Sequence, residues 1–257
     1  TFHAQGPLAV RRRTVRAVDG VSFQIERGAI FGLVGESGSG KTTVARTMLH
    51  LEAPTEGRVI VDGIEVGSQR RADLLHRTMQ IVFQDPDGAL NPKLTIRRSI
   101  GEALTNRGIP RHEHRDRTAS LLSLVGLRPD HMDRHPHAFS GGQKQRIVIA
   151  RALAMEPQFL ILDEPVSNLD VSIQAQIINL LLELKEKLGL TYLFISHDLN
   201  LIAYVSDWIA VMKDGRIVEQ DAAEKLVNKP EHAYTASLFE SAPVFVVKRR
   251  FAEHNEP

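Results

Sequence analysis

Eight consecutive residues, Gly35-Glu36-Ser37-Gly38-Ser39-Gly40-Lys41-Thr42, restrict what this chain can fold into more than any other feature. Just upstream, Ile30 to Val34 is an unbroken apolar run, the mark of a short strand buried on both faces. Downstream, the pattern from Lys41 to about Leu51 predicts a helix. A glycine-rich turn joining a buried strand to a helix matches the phosphate-binding loop pattern. Its glycines let successive backbone N–H groups curl around an anion, and the helix adds its positive end. Lys41 has the reach for β- and γ-phosphates, and the Thr42 hydroxyl suits a Mg²⁺ ligand. A flexible Gly/Ser linker is the bland alternative, and it gives no reason for a buried strand and a helix on either side.

Around this loop, strands and helices alternate. Val21, Phe23 and Ile25 alternate with Ser22, Gln24 and Glu26, which predicts a half-buried strand. Val59–Val61 reads as a strand ended by the Asp62-Gly63 turn signal, and Ile81–Phe83 as a third buried strand. From about residue 86 to 156 the chain turns helical. Ile96, Ile100, Ala103 and Leu104 share one helical face, Leu121, Leu122, Leu124 and Val125 suggest another helix, and Pro92, Pro110, Pro129 and Pro136 punctuate the region. Alternation resumes with Phe159–Leu162, a helix near Gln174–Leu188 closed by Gly189, and a strand at Thr191–Ile195. A hairpin turning at Asp214-Gly215 separates Trp208–Met212 from Ile217–Glu219. The expectation is an α/β fold: a P-loop NTPase core with a mostly parallel sheet, an N-terminal antiparallel β region and a helical subdomain insert. The core is placed at about 1–85 and 157–225, the insert at 86–156, and a C-terminal tail at 226–257, with the whole domain running to 242.

Composition removes several classes. With 32 basic and 31 acidic residues, the net charge of +1 gives no electrostatic reason to expect nucleic acid. The absence of cysteine excludes disulfides and cysteine-ligated zinc or iron–sulfur clusters for these 257 residues. Eleven histidines are scattered without metal-ligand spacing. No apolar stretch approaches the ~18 residues of a membrane span, and no signal-peptide core opens the sequence. A soluble chain is therefore expected, reaching a membrane only through a partner. Residue 1 is Thr, which leaves open a processed, tagged or excised chain.

Two further segments carry chemistry. Phe159-Leu-Ile-Leu162 leads into Asp163-Glu164, so a buried strand delivers two carboxylates to the carboxyl edge of a sheet. Asp163 suits Mg²⁺, and Glu164 suits polarising an attacking water; alone, the pair reads equally well as a solvated acidic turn. Phe139-Ser140-Gly141-Gly142-Gln143 opens the well-patterned helix Lys144–Ala154. Ser140 is a good N-cap and the paired glycines permit close backbone approach, a second helix start fit for an anion. In isolation a capped helix start is the plainer reading.

Taken in order, the phosphate loop, Gln84, Ser140-Gly141-Gly142-Gln143, Asp163-Glu164 and His197 resemble the nucleotide-binding domain of ABC transporters. The resemblance runs from about Ala17 to Ala242. It is closest to the peptide and nickel importer (oligopeptide/dipeptide permease) subfamily, through Gln84-Asp85-Pro86 with Leu90-Asn91-Pro92, Glu164-Pro165-Val166-Ser167 and His232-Ala233-Tyr234-Thr235. It implies an ATPase energising uptake of peptides or a related small solute. The alternative is an ATPase or accessory subunit of a non-transport ABC assembly. It also implies two ATP molecules held between two ATP-binding subunits, identical or different. Each would meet Gly35 to Thr43 of one subunit and Ser140, Gly141, Gly142 and Gln143 of the other. Gln84 would sense the γ-phosphate and, with Thr42 and Asp163, serve Mg²⁺. Lys41, Gln84, Glu164 and His197 would be catalytic, His197 by contacting the γ-phosphate, and Asp170 would communicate between the two sites. Taken alone, His197 reads equally as a structural histidine. Implied partners are two transmembrane permease subunits and an extracytoplasmic solute-binding protein, with no nucleic acid. The implied place is the cytoplasmic face of the membrane.

Four departures from the family pattern stand out. Asn168 replaces a usual Ala, Phe139 replaces the commoner Leu, and Ala233 replaces a Pro, which is expected to loosen the tail. The cysteine-rich tail of many subfamily members is absent. The aromatic that stacks on adenine is hard to place; Phe2 is a weak candidate for it, and the run Arg11–Arg16 reads as a solvated basic loop.

Overall fold

Every residue of the strand Ile30–Val34 is buried. The computed structural model describes residues 2–3, 14–67 and 77–241. It divides into two units, one of residues 1–67 with 193–257 and one of residues 68–192. In the first stretch, β1 (Phe2–His3) pairs antiparallel with β2 (Thr14–Val15), and β3 (Ile30–Val34) leads to helix α1 (Lys41–Met48). Then β4 (Ile60–Val61) and β5 (Ile64–Glu65) form a hairpin. Asp62 and Gly63 at its tip have φ of 50° and 74°, the left-handed pair that suits a tight two-residue turn.

The second unit holds β6 (Met79–Val82), α2 (Pro86–Ala89), α3 (Ile96–Arg107), α4 (His114–Leu124), α5 (Gly141–Leu153), β7 (Phe159–Asp163) and α6 (Val171–Leu188). Its helices begin and end where the sequence provides caps. Thr95, Ser140 and Asp170 cap α3, α5 and α6 through side-chain oxygens, and Gly108 and Gly189 end α3 and α6 in the left-handed conformation. Apolar residues at helical spacing, Ile96, Ile100 and Leu104 on α3 and Ile177, Leu181 and Leu184 on α6, are buried. Burial of each such side chain contributes roughly 1.5–3 kcal/mol.

The chain continues through β8 (Thr191–Ser196), α7 (Leu199–Val205), β9 (Trp208–Lys213), β10 (Arg216–Ala222), α8 (Ala223–Asn228) and α9 (Ala233–Ser241). All six residues of β8 are buried. In the first unit β3 pairs parallel with β9, from Phe31↔Trp208 to Val34↔Val211, and β9 pairs antiparallel with β10. In the second unit β6 pairs parallel with β7, from Met79↔Phe159 to Val82↔Leu162. The fold is thus α/β with mostly parallel pairing and small antiparallel additions, as the pattern predicts.

One expected element differs. Residues 21–26 alternate between half-buried and exposed, yet they join no strand ladder among the described residues. Alternation encodes which side chains are covered, whereas a ladder also needs a neighbouring backbone, which no side-chain period specifies. Phe23 is held by stacking on Phe31, with ring centroids 5.0 Å apart. The side chains of Phe2 and of Arg11 to Arg13, and the tail beyond 241, lie outside the described residues.

Candidate nucleotide-binding and hydrolysis site

In the first unit the loop 35–40 leaves the carboxyl end of β3 and delivers Lys41 as the first residue of α1. Its glycines are required by what lies behind them. A Cβ on Gly35 would stand 2.1 Å from the Met212 carbonyl oxygen, and one on Gly40 would stand 2.2 Å from that of Ala17. Gly40 also has φ of 106°, which a side chain would strain. The Gly215 N–H donates to the Ser39 carbonyl at 3.0 Å, so the β9–β10 hairpin backs the loop directly.

Lys41 is only 5% exposed, and its Nζ donates to the carbonyl oxygens of Gly35 (2.7 Å) and Glu36 (2.9 Å), with Ser39 Oγ at 3.4 Å. These bonds hold the ammonium group over the loop. Glu36, Ser37, Gly38 and Thr42 are exposed, while Ser39 is buried and Thr43 half-buried. No side chain caps α1 and its first turn carries no acidic residue, which leaves its positive end for an external anion. His197, exposed, follows β8 between two local anchors. Ser196 Oγ accepts from the Asp198 N–H at 3.0 Å, and Asp198 Oδ1 accepts from the N–H groups of Asn200 (2.9 Å) and Leu201 (3.1 Å).

In the second unit, parallel register brings two catalytic candidates to one edge. Because Val82 is paired with Leu162, Gln84 and Glu164 each lie two residues past matched positions on neighbouring strands. Asp163 is 5% exposed, while Glu164 is half-buried and left-handed with φ of 48°. Such a conformation is uncommon for a residue with a side chain and concentrates at functional positions. Ser167 Oγ donates to the Glu164 carbonyl at 3.2 Å, and supports that turn.

Ser140 and Gln143 make a reciprocal capping box at the start of α5. The Gln143 N–H donates to Ser140 Oγ at 3.4 Å and the Ser140 N–H donates to Gln143 Oε1 at 3.1 Å. The glycine pair has a role that pattern alone does not reveal. A Cβ on Gly142 would meet Ile173 Cγ2 at 2.4 Å and one on Gly141 would meet Leu169 Cδ2 at 3.4 Å. Gly142 therefore lets α5 approach the segment around Asp170, whereas a side chain on Gly141 would meet Leu169 only at ordinary contact distance. Asp170 Oδ1 accepts from Ser172 Oγ (2.7 Å) and the Ile173 N–H (3.2 Å), which hold its carboxyl below the usual carboxylate range.

Side-chain contacts connect the segment after Gln84 to α5. Asp85 caps α2 by accepting from the Asp87 N–H at 2.9 Å. Lys144 then donates to Asp87 at 2.6 Å, and Arg151 donates to the Ala89 carbonyl at 2.5 Å. Lys144 and Arg151 read in the sequence as ordinary basic residues of a helix, and only their spacing of seven hinted at one face. Nearby, a cleft of about 630 Å³ is lined by Arg77, Gln80, Ser99, Glu102, Asn106 and Arg151, among others.

Residues 18–167 match the family model for the ABC transporter domain. The chain belongs to the ABC transporter family. It is 48% identical over 247 residues to the oligopeptide transport ATP-binding protein OppF of Bacillus subtilis, covering 94% of this chain and 81% of that protein. To a putative peptide import ATP-binding protein of Brucella ovis it is 49% identical over 236 residues, covering 91% of this chain and 74% of the relative. Among solved structures, cbiO1 from Clostridium perfringens, part of the ABC transporter complex cbiONQ, superposes with a TM-score of 0.75 at 32% identity, covering 84% and 85% of the two chains. An ATP-binding cassette solved as a dimer after hydrolysis, bound to ADP and phosphate, superposes at 0.70 with 29% identity over 81% and 91% of the two chains. This ABC chain is an ATPase. No helix among its described residues is long and apolar enough to cross a membrane.

Proposed function

We propose that this ABC ATPase energises the import of peptides, or of a closely related small solute, from the cytoplasmic face of a membrane. The observation that carries the reading is 48–49% identity, over more than nine-tenths of the chain, to ATP-binding proteins named for peptide transport and import. Its partners are two transmembrane permease subunits, a solute-binding protein on the far side, and a second ATP-binding subunit, identical or different. The working division is a catalytic core, about 1–85 and 157–225, with a helical subdomain at 86–156.

In this reading Gly35 to Thr43 wrap the phosphates of one ATP, and Ser140 to Gln143 of a second subunit close over it. Lys41 neutralises charge on the β- and γ-phosphates, and the N–H groups of both helix starts add to that field without reorganising. Glu164 takes a proton from the attacking water, His197 holds that water against the γ-phosphate, and Gln84 senses the phosphate. Thr42, Asp163 and Gln84 offer hydroxyl, carboxylate and amide oxygens, the hard donors that Mg²⁺ prefers. When bound, Mg²⁺ would draw charge from the phosphate oxygens. The surface around Gln84–Ile100, with its Pro-framed, partly apolar run Pro86–Pro92, receives a helix of a permease subunit.

Two measurements test this. Lys41→Ala in the full-length subunit abolishes ATPase activity and weakens equilibrium binding of a fluorescent ATP analogue, whereas unchanged affinity would overturn the role of the loop. Reversing charge at Lys93 and Arg97 stops uptake of labelled peptide in a reconstituted transporter and spares basal ATPase. Uptake that persists would place the docking surface elsewhere.

A further inference from the structure

The segment Glu231-His232-Ala233-Tyr234-Thr235 does more than end the domain. A β-bulge between Ile217 and Glu219 shifts the register of β10, a device that re-aims side chains. The Glu219 carboxylate accepts from the Glu231 N–H at 2.8 Å and the His232 N–H at 3.1 Å. His232 Nδ1 in turn accepts from the Tyr234 N–H at 3.1 Å, and Thr235 is fully buried with its hydroxyl beside Glu219. The start of α9 is thereby tied to the strand that also backs the phosphate loop. Glu219 thus anchors the two residues just before Ala233, where the family's proline is missing.

What this anchoring positions is Tyr234. Lys213 Nζ lies over its ring, 4.3 Å from the centroid, a cation–π contact. Its hydroxyl oxygen is buried with no partner at full hydrogen-bond geometry, and the Glu36 carboxylate stands close enough to act on it as an acceptor. Glu36 of the phosphate loop is beside it: burial first, and then the Glu36 carboxylate, raise the phenol's pKa above its ordinary value. The group therefore stays protonated and can donate. Met212 and Gly215 already touch the loop from the same strands, at Gly35 and Ser39.

We propose that Tyr234 is a positioning residue for the phosphate loop, acting through Glu36, so that the C-terminal helix shares in holding the phosphates of ATP. The inference rests on the reading that Gly35–Thr42 binds those phosphates. With an anion in the loop, the Tyr234 hydroxyl donates to the Glu36 carboxylate and fixes the second residue of the loop. Lys213 keeps the ring in place by attraction to its face.

The test is a double-mutant cycle in the assembled transporter, with Tyr234→Phe, Glu36→Gln and both together, measuring KM for ATP and kcat. Each single change raises KM by about tenfold or more, the worth of one hydrogen bond to a charged group, at unchanged kcat. The double variant is no weaker than either single one. The melting temperature of Tyr234→Phe stays within about 2 °C of the parent, since the ring and its contact with Lys213 remain. A KM for Tyr234→Phe within about twofold of the parent, or single effects that multiply in the double variant, would overturn the proposal. Lys41→Ala separates the two levels. If it leaves nucleotide affinity intact, the phosphate-loop reading falls and this inference falls with it. If Lys41→Ala abolishes binding while Tyr234→Phe has no effect, only the role of Tyr234 is lost.

Discussion

Lys144 Nζ lies 2.6 Å from Asp87 Oδ1, joining the helix that opens with Ser140 to the segment that follows Gln84, 57 positions away in sequence. Arg151 makes a second tie between the same two segments through the Ala89 carbonyl. The segment that bears Gln84 and the helix that bears Gly141-Gly142-Gln143 are therefore mechanically linked within one unit. Asp87 is 67% exposed, so the ion pair itself adds little stability, about 0–1 kcal/mol. Its expected role is transmission between the two segments. Asp87→Lys should lower peptide uptake per ATP hydrolysed with little change in melting temperature, and adding Lys144→Asp should recover part of the loss. Reconstituted transport assayed alongside phosphate release checks both outcomes; coupling that survives Asp87→Lys would show that the pair is incidental.

Glu164→Gln keeps the side chain's shape and removes the charge that would accept a proton from water. The variant should bind ATP, fail to hydrolyse it, and accumulate as a closed dimer, because the γ-phosphate that would bridge the subunits is never removed. Light scattering after size exclusion, with and without Mg²⁺-ATP, reads this directly. A partner ATP-binding subunit belongs in the mixture where the natural pair is of two kinds. Hydrolysis at the parent rate would show that Glu164 is not the base.

Gly142→Ala sets a methyl group 2.4 Å from Ile173 Cγ2, a distance no packed pair tolerates. Overpacking of this kind costs roughly 1–3 kcal/mol. Adding Ile173→Ala removes the opposing methyl and should return much of that loss, giving a non-additive pair in chemical denaturation. Additive losses would mean that Gly142 matters for a reason other than Ile173.

Glu219 makes stability depend on acidity. Burial raises its pKa, but the Glu231 N–H, the Thr235 hydroxyl and the His232 N–H outweigh that and hold it below the ordinary 4.5. A carboxyl with a lowered folded-state pKa stabilises fully above its unfolded value, and loses that contribution as pH falls through the folded one. The melting temperature of the parent should therefore exceed that of Glu219→Gln at pH 6, and the gap should narrow below about pH 4.5. A gap independent of pH would assign the effect of the substitution to shape alone.

Much of this protein is written locally. The loop Gly35–Thr42, the caps Thr95, Ser140 and Asp170, the helix stops Gly108 and Gly189 and the turns at Asp62-Gly63 and Asp214-Gly215 all lie where single residues have strong backbone preferences. Such preferences act over a few positions, so they can be read without knowing the fold. The order of the motifs likewise carried the family, because each segment keeps its chemistry at its own place in the chain. The sequence by itself therefore determined most of the alternation of strands and helices, apart from the strand expected over residues 21–26 and several short elements, and it supplied the candidate catalytic groups. Only the tertiary structure decided what each of them touches. Strand register set Gln84 and Glu164 two residues past a matched pair, Ile173 crowded the space beside Gly142, Lys144 and Asp87 became a link, and Lys213 and Glu219 gave Tyr234 its place. Those relations depend on distances of a few ångströms between residues far apart in the chain, and no local preference encodes such a distance.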